Sequence, residues 1–255
     1  LLGTPDGFRL GNWSVVHSSR RWRSLRGLIT TLACTGFRKS EICVDRKGQM
    51  CDEDCLSRAH LRWQLSGRVY SSGSVSAALL DAAADGDFVI LTPPPSKSDP
   101  FDMVWGDKPI FIPFSLDPLS AFSALAQIEK VDNFDGEASA TAVFADDDGK
   151  PFSAAQLDNW LKAMLRRQYP DEVARNYTWH SARIFLATSL LAAKASRAEI
   201  QAVCRWQTEE SLNIYAIMGQ EHYGSLLLKA LATRVDGARA ATLAQAVPFI
   251  DRTDL

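Results

Sequence analysis

The sequence has no uninterrupted apolar run of about 18 residues, so it offers no segment that would cross a bilayer as a helix. Its first residues show no basic patch followed by an apolar stretch and a cleavage site, and the expectation is an intracellular protein that makes no membrane contact. Cysteine is sparse. Five residues, an odd number at irregular spacing, fit reduced thiols better than a disulfide framework. Cys51, Cys55 and His60 have part of the form of a zinc site, yet a second pair of ligands is missing and Asp52, Glu53 and Asp54 crowd the gap. A solvated loop is expected there. No internal repeat is present.

Acid is missing from a long stretch. Between Gly7 and Ser40 there is no Asp or Glu, while Arg9, Arg20, Arg21, Arg23, Arg26, Arg38 and Lys39 all fall there. Acid gathers instead at Asp52–Asp54 and Asp146–Asp148, and the whole chain carries a net charge of -2. That balance argues against a protein that coats nucleic acid through charge alone. The N-terminal segment nevertheless carries a local positive field, and Arg21, Arg23, Arg26 and Lys39 are its candidate contacts to DNA phosphates. A solvated basic helix is the other reading of the same residues.

With 255 residues, 46% of them hydrophobic, the chain can bury one large core without metal or disulfide. Leu25, Leu28, Ile29 and Leu32 recur at i, i+3, i+4 and i+7, which predicts a helix ending near Gly36. Residues 43–60 read as a loop or insertion. Three segments rich in Val, Ile and aromatics, LRWQLSGRVY, DFVILTPPPSKSD and KPIFIPF, predict a small antiparallel sheet, with a short helix in SVSAALLDAAAD. Helix is expected from Leu116 to Lys130. Ser153 with Gln156 and Ser196 with Glu199 have the form of capping boxes, each followed by an apolar helical stripe. The last third is thus mostly helical, and the tail after about Val235 is Ala-rich and then polar.

His180 and Arg183 stand at i and i+3 on one predicted helix, so both can reach one anion. Taken with Arg38 in TGFRKSE, Lys97 in PPSKSD, Trp206, and Tyr215 nine positions later in LNIYA, the order resembles the active-site series of the tyrosine recombinases, the phage-integrase family. The resemblance runs from about Arg20 to Val235. It implies an α+β, mainly helical catalytic domain over residues 20–235 with a small antiparallel sheet at one edge. Residues 1–19 would be a remnant of, or linker to, an upstream DNA-clamping domain, and 236–255 a C-terminal tail.

The resemblance also implies a chemistry. Arg38 and Arg183 would clamp the non-bridging oxygens of a scissile phosphate. Tyr215, a phenol with an ordinary pKa of about 10, would attack phosphorus with His180 as proton acceptor and leave a 3'-phosphotyrosyl link. Lys97 would deliver a proton to the departing 5'-oxygen, with Lys108 the alternative lysine. Trp206 would donate its indole N–H, and Glu41 would orient the first arginine. Tyr223 is the competing tyrosine. No cofactor and no metal is implied. The partner would be double-stranded DNA, bound by a homo-oligomer, a tetramer on synapsed duplexes, and Leu226, Leu227, Leu228 and Leu231 are either its docking surface or cover for their own domain. PPSKSD is similar to recombinases of eukaryotic mobile elements, which implies a nuclear location. A type IB topoisomerase and a catalytically silent DNA-binding domain are the competing expectations.

Overall fold

The computed structural model describes residues 3–43, 55–94, 108–117, 119–132, 137–206 and 218–233. These residues form an α+β fold with two small antiparallel sheets. A two-stranded ribbon, β1 (Arg9–Leu10) and β2 (Trp13–Ser14), comes first. It is more than a lead-in: Leu10 and Val15 enter the core, so the segment expected as a linker contributes to the body.

Helix α1 (Arg20–Thr35) follows, opened by the Ser19 hydroxyl, which accepts the Trp22 N–H at 3.1 Å. Its expected stripe is buried at Leu25, Leu28 and Leu32. Gly36 ends it at φ 65, the left-handed conformation that a side chain enters at a cost of about 1 kcal/mol.

The segment read as one strand is two. β3 (Leu61–Leu65) and β4 (Arg68–Ser71) form a hairpin whose turn residues, Ser66 at φ 48 and Gly67 at φ 76, are both left-handed. A short helix, α2 (Ala77–Asp81), precedes β5 (Phe88–Leu91), and β6 (Ile110–Pro113) completes a four-stranded sheet in the order β4-β3-β5-β6. Trp63 pairs with Val89, and Val89 with Ile112, and all three are buried.

Helix α3 (Ala121–Val131) starts at Ala121 rather than Leu116, because Ser120 caps it and the Asp117 carboxylate holds the Leu119 N–H in a turn at 2.7 Å. Then come α4 (Ala154–Arg166), α5 (Asp171–Ala174), α6 (His180–Ala192), α7 (Arg197–Val203) and α8 (Gln220–Ala232). The two expected capping boxes, Ser153 with Gln156 and Ser196 with Glu199, open α4 and α7.

Helix α1 packs between α3 and α6, and α8 lies across α6 and β6. Gly224 lets α8 approach the sheet: a Cβ there would lie 2.8 Å from a ring carbon of Phe88. Leu226 and Leu227 are buried in their own domain, whereas Leu228 is 39% exposed. An ionic network ties α1, α3 and the approach to the sheet together. Arg58, 2% exposed, reaches Glu129 at 3.2 Å and Asp132 at 2.7 Å, and Arg20 reaches the same Asp132 at 2.9 Å. Ser72 adds a hydroxyl to Glu129 at 2.8 Å.

Cys51 and the tail 236–255 lie outside the described residues. The thiol of Cys55 donates to the Ile42 carbonyl at 3.1 Å, and His60 Nδ1 accepts the Ser57 N–H at 3.0 Å. Among the described residues no group of three or more His, Cys, Asp or Glu is placed to hold a metal ion, and no helix is long and apolar enough to cross a membrane.

Burial pushes the thiols of Cys34 and Cys204 from 9.0 up to about 12, and that of Cys43 up to about 11. An unfolded chain ionises these thiols near pH 9 while the folded one does not. Stability held in full below pH 9 therefore declines as pH rises through the interval to about 12, each thiol contributing a slope of up to about 1.4 kcal/mol per pH unit. Urea denaturation between pH 8 and pH 10.5 is expected to show this decline, and Cys34→Ala with Cys204→Ala to flatten it; an equally steep slope in that variant would assign the effect elsewhere.

Candidate functional site

Gly36 sets the site. A Cβ on it would stand 3.3 Å from the Cys204 Cα and 3.6 Å from Leu186, so the end of α1 touches both the exit of α7 and the body of α6. The chain after Gly36 runs extended through Arg38 into a single 3-10 turn, Lys39–Glu41. The Glu41 carboxylate, 3% exposed, accepts the backbone N–H of Arg38 through one oxygen and pairs with Arg205 Nη1 at 3.4 Å through the other. Arg205 also lies over the ring of Phe37 at 5.6 Å.

Arg183 projects from the first turn of α6 into this junction and is 4% exposed. Its Nη2 donates to the Cys204 carbonyl at 2.6 Å and to the Arg205 carbonyl at 3.4 Å, and the guanidinium stands 5.8 Å from the centre of the Trp206 ring. Among the described residues it reaches no carboxylate, and its buried Nε has no hydrogen-bond partner. Burial first, and then the positive charge of Arg38, push this guanidinium down to about 10, with Arg205 acting in the same direction and Glu41 against it. It remains charged at neutral pH. A buried cation that its surroundings disfavour is relieved by any anion that arrives beside it.

The acceptor geometry depends on a bend. Arg205 adopts φ 55, a left-handed conformation unusual for a residue with a long side chain. The bend lets the Trp206 N–H reach back to the Gln201 carbonyl at 2.8 Å and sets the Cys204 and Arg205 carbonyls towards Arg183.

Arg38, Arg183 and Trp206 are thus brought to one place, although they lie far apart in sequence. His180 is half-buried one turn before Arg183 on α6. Lys97 and Tyr215 lie outside the described residues. Lys108, the alternative lysine, is half-buried just before β6. Tyr223, the competing tyrosine, is 1% exposed and packs edge to face on Phe111 with ring centres 6.1 Å apart.

The candidate phosphate contacts divide. Arg21 is engaged with Asp146 at 3.7 Å and Asp147 at 3.5 Å and lies over Trp13, while Asp147 also accepts the Arg21 N–H at 3.1 Å. Lys39 pairs with Asp158 at 2.7 Å. Arg23 donates to the Ser18 carbonyl, and Arg26 stands on the same face of α1. The basic stretch near the N-terminus and the acidic turn at Asp146–Asp148 therefore meet and largely cancel at Arg21. Sequence reasoning missed Arg205, whose only prior signal was its place beside Trp206.

No family model matches the chain, and no curated protein or solved structure matches it either.

Glu41→Ala removes the carboxylate that balances buried Arg205 together with the acceptor for the Arg38 N–H. The expected loss is about 3–5 kcal/mol of unfolding free energy, read by urea denaturation. A loss below about 1 kcal/mol would place the pair among weak surface contacts.

Proposed function

We propose that the protein cleaves and rejoins DNA strands through a covalent 3'-phosphotyrosyl intermediate, as a site-specific recombinase of the tyrosine recombinase type. The observation that carries the reading is the buried, carboxylate-poor Arg183 within the field of Arg38. A phosphodiester in transfer spreads negative charge over its non-bridging oxygens, and two guanidiniums held beforehand by packed elements stabilise that charge without reorganising. His180, on the face of α6 that carries Arg183, takes the phenol proton. Trp206 donates its indole N–H, Lys97 protonates the 5'-oxygen that leaves, and Tyr215 is the nucleophile. The burial of Tyr223 beside Phe111 supports the choice between the tyrosines, because a core phenol cannot meet a duplex. Attack by a second 5'-hydroxyl on the phosphotyrosine reverses the step and needs no added energy source. The partners are double-stranded DNA and further copies of the chain on synapsed duplexes, in a nucleus if the mobile-element likeness holds.

One observation favours a second reading. Leu226 and Leu227 of α8 are buried in their own domain, which suits a protein that acts alone on one duplex in the manner of a type IB topoisomerase. Exchange between two labelled duplexes, set against relaxation of a supercoiled plasmid, separates the two.

Incubation with a nicked suicide duplex is expected to trap a covalent protein–DNA adduct. Tyr215→Phe abolishes the adduct, Tyr223→Phe retains it, and Arg183→Ala slows its formation by about 10²–10³. Retention of the adduct in Tyr215→Phe would overturn the assignment of the nucleophile, and no adduct in the wild type would overturn the function.

A further inference from the structure

We infer that the stacked pair Tyr169 and Tyr177 is a platform for the unpaired bases of a single nucleic-acid strand, on the surface beside the helix that carries Arg183. That the strand is one released by DNA cleavage rests on the function proposed above; that the pair takes unpaired bases does not.

The two rings lie with centres 6.0 Å apart and planes at 26°, and the residues are 44% and 45% exposed. The backbone sets them there. The Tyr169 N–H reaches the Leu165 carbonyl at 2.9 Å, which carries the helical repeat of α4 past Arg166, and the Tyr177 N–H reaches the Ala174 carbonyl at 3.2 Å at the exit of α5. One turn of helix, α5, thus separates the two tyrosines in sequence while their rings meet. Val173, on that turn, is 38% exposed and enlarges the apolar surface.

The surroundings carry the charge that a strand needs. Between residues 162 and 177 stand four cations, Lys162, Arg166, Arg167 and Arg175, and two carboxylates, Asp171 and Glu172, a positive excess on a chain whose net charge is -2. Arg166 pairs with Asp171 at 2.9 Å, and Arg167 is turned to the Gly3 carbonyl at 3.0 Å and the ring of Phe8. Lys162 and Arg175 are exposed, and among the described residues neither meets a carboxylate. Lys162, Arg166 and Tyr169 follow at i, i+4 and i+7, so the free ammonium and the platform share one face of α4 and its extension. Bases stack on aromatic faces while the phosphates between them meet cations. An intact duplex keeps its base faces inside its own stack, so only an unpaired strand can use the rings.

The position suits a strand freed at the junction. Tyr177 precedes His180 by three residues, which puts their α-carbons at most about 11 Å apart. His180 opens α6, whose first turn carries Arg183 into the junction.

The test compares a fluorescent dT strand of about 12 nucleotides with an abasic strand of the same length, which keeps the phosphates and lacks the bases. The wild type is expected to bind the dT strand about tenfold tighter or more. Tyr169→Ala with Tyr177→Ala abolishes that preference, whereas Tyr169→Phe with Tyr177→Phe, which keeps both rings, retains it. Lys162→Ala with Arg175→Ala weakens both strands alike and lowers the slope of log K against log salt by about 1. Equal binding of the two strands by the wild type overturns the platform and leaves the pair to a protein partner. A preference that survives the double alanine substitution, in a chain that melts at the wild-type temperature, overturns it as well. A base preference that depends on the two rings, in a protein that forms no covalent adduct with the suicide duplex, keeps the platform and sinks the proposed function alone.

Discussion

Arg183 is the constraint around which the junction is built. A guanidinium cannot shed its proton near neutrality, so a buried one must have its N–H groups and its charge answered by the surroundings. Here one terminal nitrogen donates to two carbonyls at the exit of α7 while the buried Nε has no partner, and the charge is opposed at longer range by Glu41 and reinforced by Arg38 and Arg205. That arrangement exists only if the end of α1, the first turn of α6 and the exit of α7 come within touching distance. Gly36 favours it, because its φ of 65 suits glycine and a Cβ there would crowd the backbone of Cys204 at 3.3 Å.

A comparison within the same molecule shows why Arg183 reads as a working residue and Arg58 as a structural one. Arg58 is equally buried, but its two terminal nitrogens each meet a carboxylate, Glu129 at 3.2 Å and Asp132 at 2.7 Å, and Arg20 closes the network on Asp132 at 2.9 Å. That cluster balances two cations with two anions, so its charge is met internally. At Arg183 the hydrogen bonds stop at neutral carbonyls, and the nearby carboxylate of Glu41 is committed to Arg205. The same logic divides the basic residues of α1 and the turn after it. Arg21 and Lys39 meet Asp146, Asp147 and Asp158, whereas Arg23 faces a cavity. A net charge of -2 is thus compatible with a place of positive excess at the Arg38–Arg183 junction.

What was legible beforehand was whatever is encoded within about ten residues. The apolar stripe and terminal glycine of α1, the capping boxes of α4 and α7, and the shared face of His180 and Arg183 all depend on spacing alone, and they hold. Local signals were also overlooked: the Ser66–Gly67 turn divides one supposed strand into a hairpin, and Ser120 moves the start of α3 to Ala121. The remainder was not local. Arg21 and Asp147 are 126 positions apart, and only the fold reveals that a stretch without acid borrows its acid from elsewhere. Nor can spacing choose between two tyrosines; burial of Tyr223 against Phe111 bears on that choice.

Arg205 shows how strain and charge are coupled in the junction. Its left-handed backbone costs on the order of 1–3 kcal/mol, and glycine would adopt the same bend at no such cost. Glycine, however, would take away the guanidinium that Glu41 meets at 3.4 Å and that covers Phe37. Glu41 would then be a buried carboxylate drawn directly towards Arg183 and Arg38, and the positive excess that favours an incoming anion would shrink. An arginine at the bend therefore does two things with one residue. Its backbone turns two carbonyls to Arg183, and its side chain keeps the Glu41 carboxylate occupied, so that Arg183 stays both oriented and electrostatically unsatisfied.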